Sequence, residues 1–398
     1  MKSIKSLNES EEEQKREKQK QKQIREKEER EAKLKKIVDI NGFKYIRKIG
    51  EGAYGAVIEV EQNKKIFAVK IILYEGKRGL QTEDVNSFRG KKIVKIIKEI
   101  KPEKNKENNT YDENDYYLYV MECSFIGSLY NFHKFINNKL IYQQPFVEKY
   151  GDNLTRFFVL QMISALKTLY IGNYVHFDIK PDNMLLRRGL DLKLIDFSFL
   201  KKLTPGKEDT IPGGTPGYVT PEYYENEYFY NETLHKQDYF AIGMTIFYLK
   251  YGYGSLDDYD IKNKNNKIEM YQITIESIEK AIHKIKSEIF QDKDFDYFLC
   301  NLINIWPEKR FNFEQIVRNK WLNKNTKEIE RIVDINESDE DNIILELQKS
   351  DFLIRKRKYY QKNSDKKFKN ENNNKNYKQI RKGKFKFGKR NNIYSNMK

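Results

Sequence analysis

His176-Phe177-Asp178-Ile179-Lys180-Pro181-Asp182-Asn183 sets an Asp, a Lys and an Asn at fixed offsets in one short polar loop. Apolar segments flank it, Phe157 to Tyr170 before and Met184 to Leu186 after. A carboxylate that accepts a proton, a cation and an amide that ligates a metal suit phosphoryl transfer. In that chemistry a protein mostly positions groups and neutralises charge. A match this short is a hypothesis, and its surroundings decide what it means.

Upstream lies Gly50-Glu51-Gly52-Ala53-Tyr54-Gly55-Ala56-Val57, a G-x-G-x-x-G-x-V run. Dinucleotide-binding folds use a similar spacing but need a helix after the last glycine. Here Phe43 to Ile49 and Ala56 to Val60 alternate like strands, and no helix-forming run follows Gly55. The spacing therefore predicts a strand, a glycine loop and a second strand. Glycine suits a backbone that must approach phosphate oxygens closely. Next comes Phe67-Ala68-Val69-Lys70-Ile71-Ile72, an apolar strand containing one Lys, which is costly to bury unless paired. Downstream of the polar loop stand Leu192-Lys193-Leu194-Ile195-Asp196-Phe197-Ser198 and Gly213-Gly214-Thr215-Pro216-Gly217-Tyr218-Val219-Thr220-Pro221-Glu222. The helical stretch His235 to Tyr248, with Asp238 and Gly243, and then Trp306-Pro307-Glu308-Lys309-Arg310-Phe311 complete the series.

In this order and spacing, from about residue 40 to about residue 323, these stretches resemble the motifs of the eukaryotic protein kinases. The polar loop resembles H-R-D-x-K-P-x-N with Phe177 in place of Arg. Asp196-Phe197-Ser198 resembles D-F-G with Ser in place of Gly, and Thr220-Pro221-Glu222 resembles A-P-E. Lys180, with Thr215 before Pro216, resembles the serine/threonine branch. The resemblance implies an α+β, two-lobed kinase fold with a small β-rich N-terminal lobe and a larger helical C-terminal lobe.

The resemblance also implies the site. ATP would lie under Ile49, Gly50, Glu51, Gly52 and Gly55, between Val57, Ala68 and Leu185. Met121 would guard the pocket behind adenine, and the backbones of Glu122 and Ser124 would bond the base. Lys70 would hold the α and β phosphates and pair with a helix glutamate. Glu83 is the choice for that glutamate and Glu75 its rival. Asn183 and Asp196 would hold Mg²⁺, Asp178 would accept the proton of a Ser or Thr hydroxyl of a protein substrate, Lys180 would stabilise the transferring phosphoryl group, and Thr215 would contact the loop. Glu222 would form a structural ion pair with Arg310. Phe177 cannot bind an activation-loop phosphate, so turnover should not require phosphorylation of Thr204 or Thr210. The alternative is a nucleotide-binding scaffold without turnover.

The chain has 398 residues, enough for one two-lobed domain and its tails. Residues 1–39 read as a charged helical or disordered extension, 40–323 as the domain, and 324–398 as a basic, largely disordered tail. No stretch reads as a signal peptide or a bilayer-spanning run. Two widely spaced cysteines, Cys123 and Cys300, fit a reducing intracellular compartment, cytoplasm or nucleus, and the chain is expected to be a monomer. The net charge is +16, and residues 351–398 hold 17 Lys and Arg against 3 Asp and Glu, so the excess lies in the tail.

Glu9 to Lys36 carries Glu-to-Lys/Arg pairs at i,i+4, among them Glu26–Arg30, Glu29–Lys33 and Glu31–Lys35, each adding about 0.2–0.5 kcal/mol to a helix. Ile24 and Leu34 do not make an apolar seam, so the segment reads as a solvated single helix. In the tail, Arg355-Lys356-Arg357-Lys358 resembles a nuclear localisation signal, and residues 383–390 interleave basic and aromatic residues. RNA, acidic protein surfaces and anionic lipid are all reasonable partners for it, as is no partner at all.

Overall fold

The computed structural model describes residues 2–52, 55–73, 92–101, 116–123, 127–140, 145–225, 228–257, 259, 261, 266–287 and 292–324. The chain divides into two units, 1–337 and 338–398, and every described residue belongs to the first. Glu75, Glu83, Ser124 and the tail motifs lie outside the described residues.

Helix α1 (Lys2–Ile40) leads into strands β1 (Lys44–Gly52), β2 (Gly55–Gln62) and β3 (Lys65–Leu73), and then β4 (Ile96–Ile100) and β5 (Tyr116–Glu122). These five strands form an antiparallel sheet in the order β1-β2-β3-β5-β4. Its register sorts the side chains. Val57 pairs with Lys70 and Ala68 with Met121, so strand alternation puts these four on one face. Ala56, Ile58, Val60, Val69, Ile71, Leu118 and Val120 take the other face and are buried.

That second face is covered by the end of α1. Leu34, Ile37 and Val38 are buried in the same apolar cluster as the sheet residues. The expectation of a helix solvated along its whole length is corrected here. Leu34, Ile37 and Val38, at i, i+3 and i+4, are too few for a coiled-coil seam but enough for one helical face to close a small sheet. In the preceding turns residues 21–30 are exposed. The Glu31–Lys35 pair forms at 2.9 Å, whereas Arg30 reaches across to Glu51 of β1 at 3.3 Å. Asn41, just after the helix, donates to the Ile37 carbonyl and to the Tyr116 hydroxyl, both at 2.8 Å.

After β5 come the short strand β6 (Gly127–Ser128) and helices α2 (Leu129–Leu140) and α3 (Pro145–Ile171). Strands β7 (Tyr174–Val175), β8 (Met184–Arg187), β9 (Asp191–Leu194) and β10 (Lys201–Lys202) follow. They pair as β6-β8-β9 and β10-β7. Helices α4 (Asn231–Tyr251), α5 (Lys267–Ser287) and α6 (Lys293–Leu302) build the remainder. The helical stretches expected from apolar spacing are present, with α3 starting earlier than Asp152. Within α3, Leu154–Ile171 has the length and mean hydropathy, 1.2, of a membrane span. Its residues Phe158, Val159, Met162 and Leu166 are buried inside the protein, which accounts for that apolar character.

The sheet and the helical part are joined behind the site. Val94 donates its N–H to the Leu194 carbonyl at 3.0 Å, and Leu194 donates to the Lys92 carbonyl at 2.8 Å. Lys92 donates to Gln161 of α3 at 2.6 Å and to Asp191 at 2.5 Å. In front, Arg187 of β8 pairs with Glu122 of β5 at 2.6 Å.

Candidate active site

Strand β7 delivers the chain into His176–Asn183, and α4 anchors that loop from below. Asp238, fully buried on α4, accepts the N–H groups of His176 at 2.8 Å and Phe177 at 2.9 Å. Burial pushes the Asp238 carboxyl up to about 7 against the opposing effect of those two bonds. The bonds hold Phe177 at φ +64°, a left-handed backbone rare for a bulky residue. His176 is also buried, and burial lowers its pKa. The neutral ring accepts from the Asp178 N–H at Nδ1, 3.2 Å, and donates from Nε2 to the Ile195 carbonyl at 3.0 Å. The loop and the segment after β9 are thus locked together through one imidazole.

The other three residues expected to be catalytic meet around Asp178. Thr215 Oγ1 donates to Asp178 Oδ1 at 2.6 Å, and Lys180 Nζ donates to Oδ2 at 3.0 Å and to Thr215 Oγ1 at 2.6 Å. Asn183 Nδ2 donates to Asp178 Oδ2 at 2.9 Å and to the Asp178 carbonyl at 2.8 Å. Asp178 is 6% exposed. Its carboxylate is held in a fixed orientation by three donors, one of which, Thr215, arrives from a separate segment.

Strand pairing brings the second group of residues alongside. Met184 pairs with Leu194 and Leu185 with Lys193, and Ile195 donates to the Asn183 carbonyl at 2.9 Å. Asn183 and Asp196 therefore flank the same end of β8 and β9. Both Asn183 Nδ2 bonds run toward Asp178, which turns its Oδ1 the other way. An amide oxygen and a carboxylate fit a hard cation such as Mg²⁺ that shares its shell with phosphate and water oxygens. Among the described residues no three His, Cys, Asp or Glu side chains converge on a metal position.

Lys70, 7% exposed on β3, forms an ion pair with Asp196 and donates to Ser198 Oγ at 2.9 Å. Burial works to raise the Asp196 carboxyl. The charge and hydrogen bond of Lys70, helped by Ser198, outweigh it and hold the group at about 2. The bond from Ser198 Oγ to Asp196 Oδ1, 2.6 Å, was not foreseen from the residue pattern, where Ser198 stood out only as a departure from Gly.

The glycine loop is the expected hairpin. Gly50 pairs with Val57 and Gly52 with Gly55 across β1 and β2. Gly55 has φ +150°, and a Cβ there would sit 2.2 Å from the Ile71 carbonyl oxygen, so no other residue fits. Ile49 and Glu51 are exposed at the rim. Val57, Ala68 and Met121 share the Lys70 face of the sheet, and Leu185 is half-buried on β8. Glu122 closes β5 beside Cys123.

The segment from Phe199 to Glu222 is tied down at several points. Leu203 exchanges bonds with Asn173 at 2.9 and 2.8 Å, and Lys201 forms an ion pair with Asp209. Asp209 and Phe229 exchange backbone bonds at 3.0 and 2.8 Å. Phe177 packs into an apolar cluster with Val175, Leu203 and Leu234, against which Phe199, Ile211 and Phe229 lie. Gly214 has φ +149°, and a Cβ there would come within 2.7 Å of the Phe177 carbonyl, so the segment passes directly over the loop. Beyond Thr215, a cavity of about 610 Å³ opens between Asp182, Pro216, Tyr218, Tyr130, Tyr248 and Asp257. Burial raises the Asp182 carboxyl despite Lys180 nearby. Arg310 grips Glu222 through two bonds at 2.6 and 2.8 Å, forming the expected pair.

A family model described as protein kinase domain matches residues 43–322. The chain is 28% identical over 215 residues to the serine/threonine-protein kinase MRCK beta of Rattus norvegicus, which covers 53% of this chain and 12% of that protein. It is 26% identical over 268 residues to the serine/threonine-protein kinase mrck-1 of Caenorhabditis elegans, covering 66% and 16%. To the myotonin-protein kinase of Mus musculus it is 29% identical over 196 residues, covering 48% and 29%. The chain thus spans a minor part of the length of these relatives. A matching model over most of the chain, on an antiparallel sheet followed by a helical lobe, is decisive: this chain belongs to the protein kinase domain family and has its two-lobed α+β fold.

Proposed function

We propose that this chain is a serine/threonine protein kinase that moves the γ-phosphoryl group of ATP to Ser or Thr hydroxyls of proteins. The observation that carries the reading is the fixed Asp178 carboxylate, held by Thr215, Lys180 and Asn183. A substrate hydroxyl placed at Asp178 gives its proton to that carboxylate as its oxygen bonds to the γ-phosphorus. The bond from that phosphorus to the bridging oxygen breaks, and ADP leaves with the electron pair. Lys180 meets the charge on the transferring group, and Thr215 keeps Asp178 aimed. Lys70 turns part of its charge and donors from Asp196 to the α and β phosphates, under the loop of Gly50 to Gly55. The adenine lies between Val57, Ala68 and Leu185, next to Met121 and the backbone of Glu122. Asn183 and Asp196 would hold Mg²⁺, which would supply charge neutralisation at the phosphates. The cavity beyond Thr215 lies where the polypeptide on either side of the accepting hydroxyl would run.

The second reading is a nucleotide-binding scaffold. It is favoured by one observation: the described partners of Lys70 are Asp196 and Ser198, on the nucleotide side of the sheet. Transfer of ³²P from Mg·ATP to a generic basic protein, with Asp178→Asn alongside, separates the two. Label on Ser or Thr that disappears in the variant supports the kinase. No transfer by either protein, together with thermal stabilisation by ATP, supports the scaffold.

A further inference from the structure

Ser198 stands where the family pattern has glycine, and its hydroxyl touches both charged groups of the site. It accepts from Lys70 Nζ at 2.9 Å and donates to Asp196 Oδ1 at 2.6 Å, while Lys70 pairs with the same Oδ1. The three side chains close a ring between β3 and the turn after β9. A glycine at 198 leaves Asp196 to Lys70 alone.

The consequence follows from what Lys70 does in the reaction. To hold the nucleotide phosphates Lys70 would turn part of its charge and donors away from Asp196. At that moment a carboxylate whose described side-chain partners are Lys70 and Ser198 loses part of one of them and relies more on the other. Asp196 sits at φ +62°, outside the common backbone regions, and its side chain is about one-third exposed, so its own surroundings restrain it weakly. The Ser198 bond is made to Oδ1, so it leaves the second carboxylate oxygen, Oδ2, available to a cation. That bond is compatible with a bound cation, whereas the Lys70 pair weakens as Lys70 turns toward the phosphates.

We propose that Ser198 is a positioning residue: its hydroxyl keeps the Asp196 carboxylate aimed at the divalent cation while Lys70 transfers to the nucleotide. The inference rests on the reading of Asn183 and Asp196 as the cation-holding pair. It predicts a requirement for the hydroxyl itself, at a position where the family pattern dispenses with one.

The test uses the full chain and four proteins: wild type, Ser198→Ala, Ser198→Gly and Ser198→Thr. The first readout is binding, namely the Mg²⁺ concentration giving half-maximal thermal stabilisation by ADP. The second is the Mg²⁺ dependence of phosphoryl transfer. Losing one hydrogen bond to a charged group corresponds to about a tenfold weaker Mg²⁺ response in the Ala and Gly variants. Ser198→Thr, which keeps the hydroxyl, should match wild type. A merely structural role would move the melting temperature without nucleotide and leave the Mg²⁺ midpoint alone. Wild-type Mg²⁺ dependence in the Ala or Gly variant overturns the proposal, as does a Thr variant that behaves like them. If the Ala variant fails to fold, the Gly and Thr pair decides. Wild type that binds Mg·ADP but transfers nothing overturns the kinase reading and leaves this inference standing. Wild type with no Mg²⁺-dependent stabilisation overturns the cation site and this inference with it.

Discussion

Arg310 donates two hydrogen bonds to Glu222, 88 residues earlier in the chain, and both side chains are almost fully buried. Its remaining donors reach the carbonyls of Asn304 and Ile305, and its guanidinium lies over the Phe240 ring at 5.1 Å. Removing either partner strands a charge away from water. Glu222→Gln or Arg310→Ala should destabilise the protein by about 3–5 kcal/mol, measured by urea denaturation. The double change Glu222→Leu with Arg310→Met should recover much of that loss. Unchanged midpoints in the single variants would rule out a structural role for the pair.

Phe177 replaces a charged tether with an apolar one. Leu203 of the following segment shares its apolar cluster, Phe199 and Ile211 pack against that cluster, and Lys201–Asp209 fixes the same stretch. We predict that Thr204→Ala with Thr210→Ala leaves phosphoryl transfer within about twofold of wild type, since neither change touches a buried feature. Phe177→Arg should instead lower stability by several kcal/mol, because it buries an unpaired guanidinium. Loss of turnover in the folded double-alanine protein would refute the idea.

Thr215 and Lys180 act on the same carboxylate from opposite sides. Thr215→Val and Lys180→Met should each reduce kcat by about 10²-fold, with the KM for ATP little changed, as expected when a group positioned for the transition state is lost. Steady-state kinetics at saturating Mg²⁺ checks this. A pure KM effect would place both residues in ground-state binding.

The end of α1 carries part of the sheet core. A protein lacking residues 1–29 should keep the thermal midpoint of the full chain, because those turns are exposed where their side chains are described. Leu34→Ala should cost about 2–5 kcal/mol, the usual range for a fully buried leucine. If the two proteins melted alike, α1 would be an appendage after all.

His235 on α4 is 7% exposed, edge-on to Tyr170, with Nε2 3.0 Å from Asn173 Oδ1. Burial lowers its pKa to about 4, so the unfolded chain binds a proton near pH 6.5 that the folded protein refuses. Stability from the neutral ring is complete above pH 6.5 and is lost as the pH falls toward 4, by at most about 3 kcal/mol. His235→Gln should flatten that part of the pH–stability curve relative to wild type. Parallel curves between pH 4 and 6.5 would show that the ring does not titrate there.

Much of the site was legible because it is local. The offsets of Asp178, Lys180 and Asn183 lie in one loop, and the structure gathers them with Thr215 around one carboxylate. The alternation around Gly50 to Gly55 forms a hairpin for the same reason: period and glycine placement act on neighbouring backbone. Leu34, Ile37 and Val38 were harder to read. Their apolar face is short and follows a long charged run, so periodicity gave little sign that a sheet would close on it. The Lys92 bonds to Gln161 and Asp191 had no local signature at all.

From sequence alone came the order of the motifs and the residue types able to carry phosphoryl transfer, since each is a matter of residue type at fixed spacing, and the fold class came as what the resemblance of those motifs to a family implies. Only the tertiary structure decided which of those groups touch. Tertiary packing of β3 against the turn after β9 puts Lys70 against Asp196 and makes Ser198 a shared partner of both, and the cluster around Phe177 gives the segment above it an apolar floor. Lys70 and Asp196 are 126 positions apart, a separation at which propensity and periodicity carry no information and only tertiary packing brings the two side chains together.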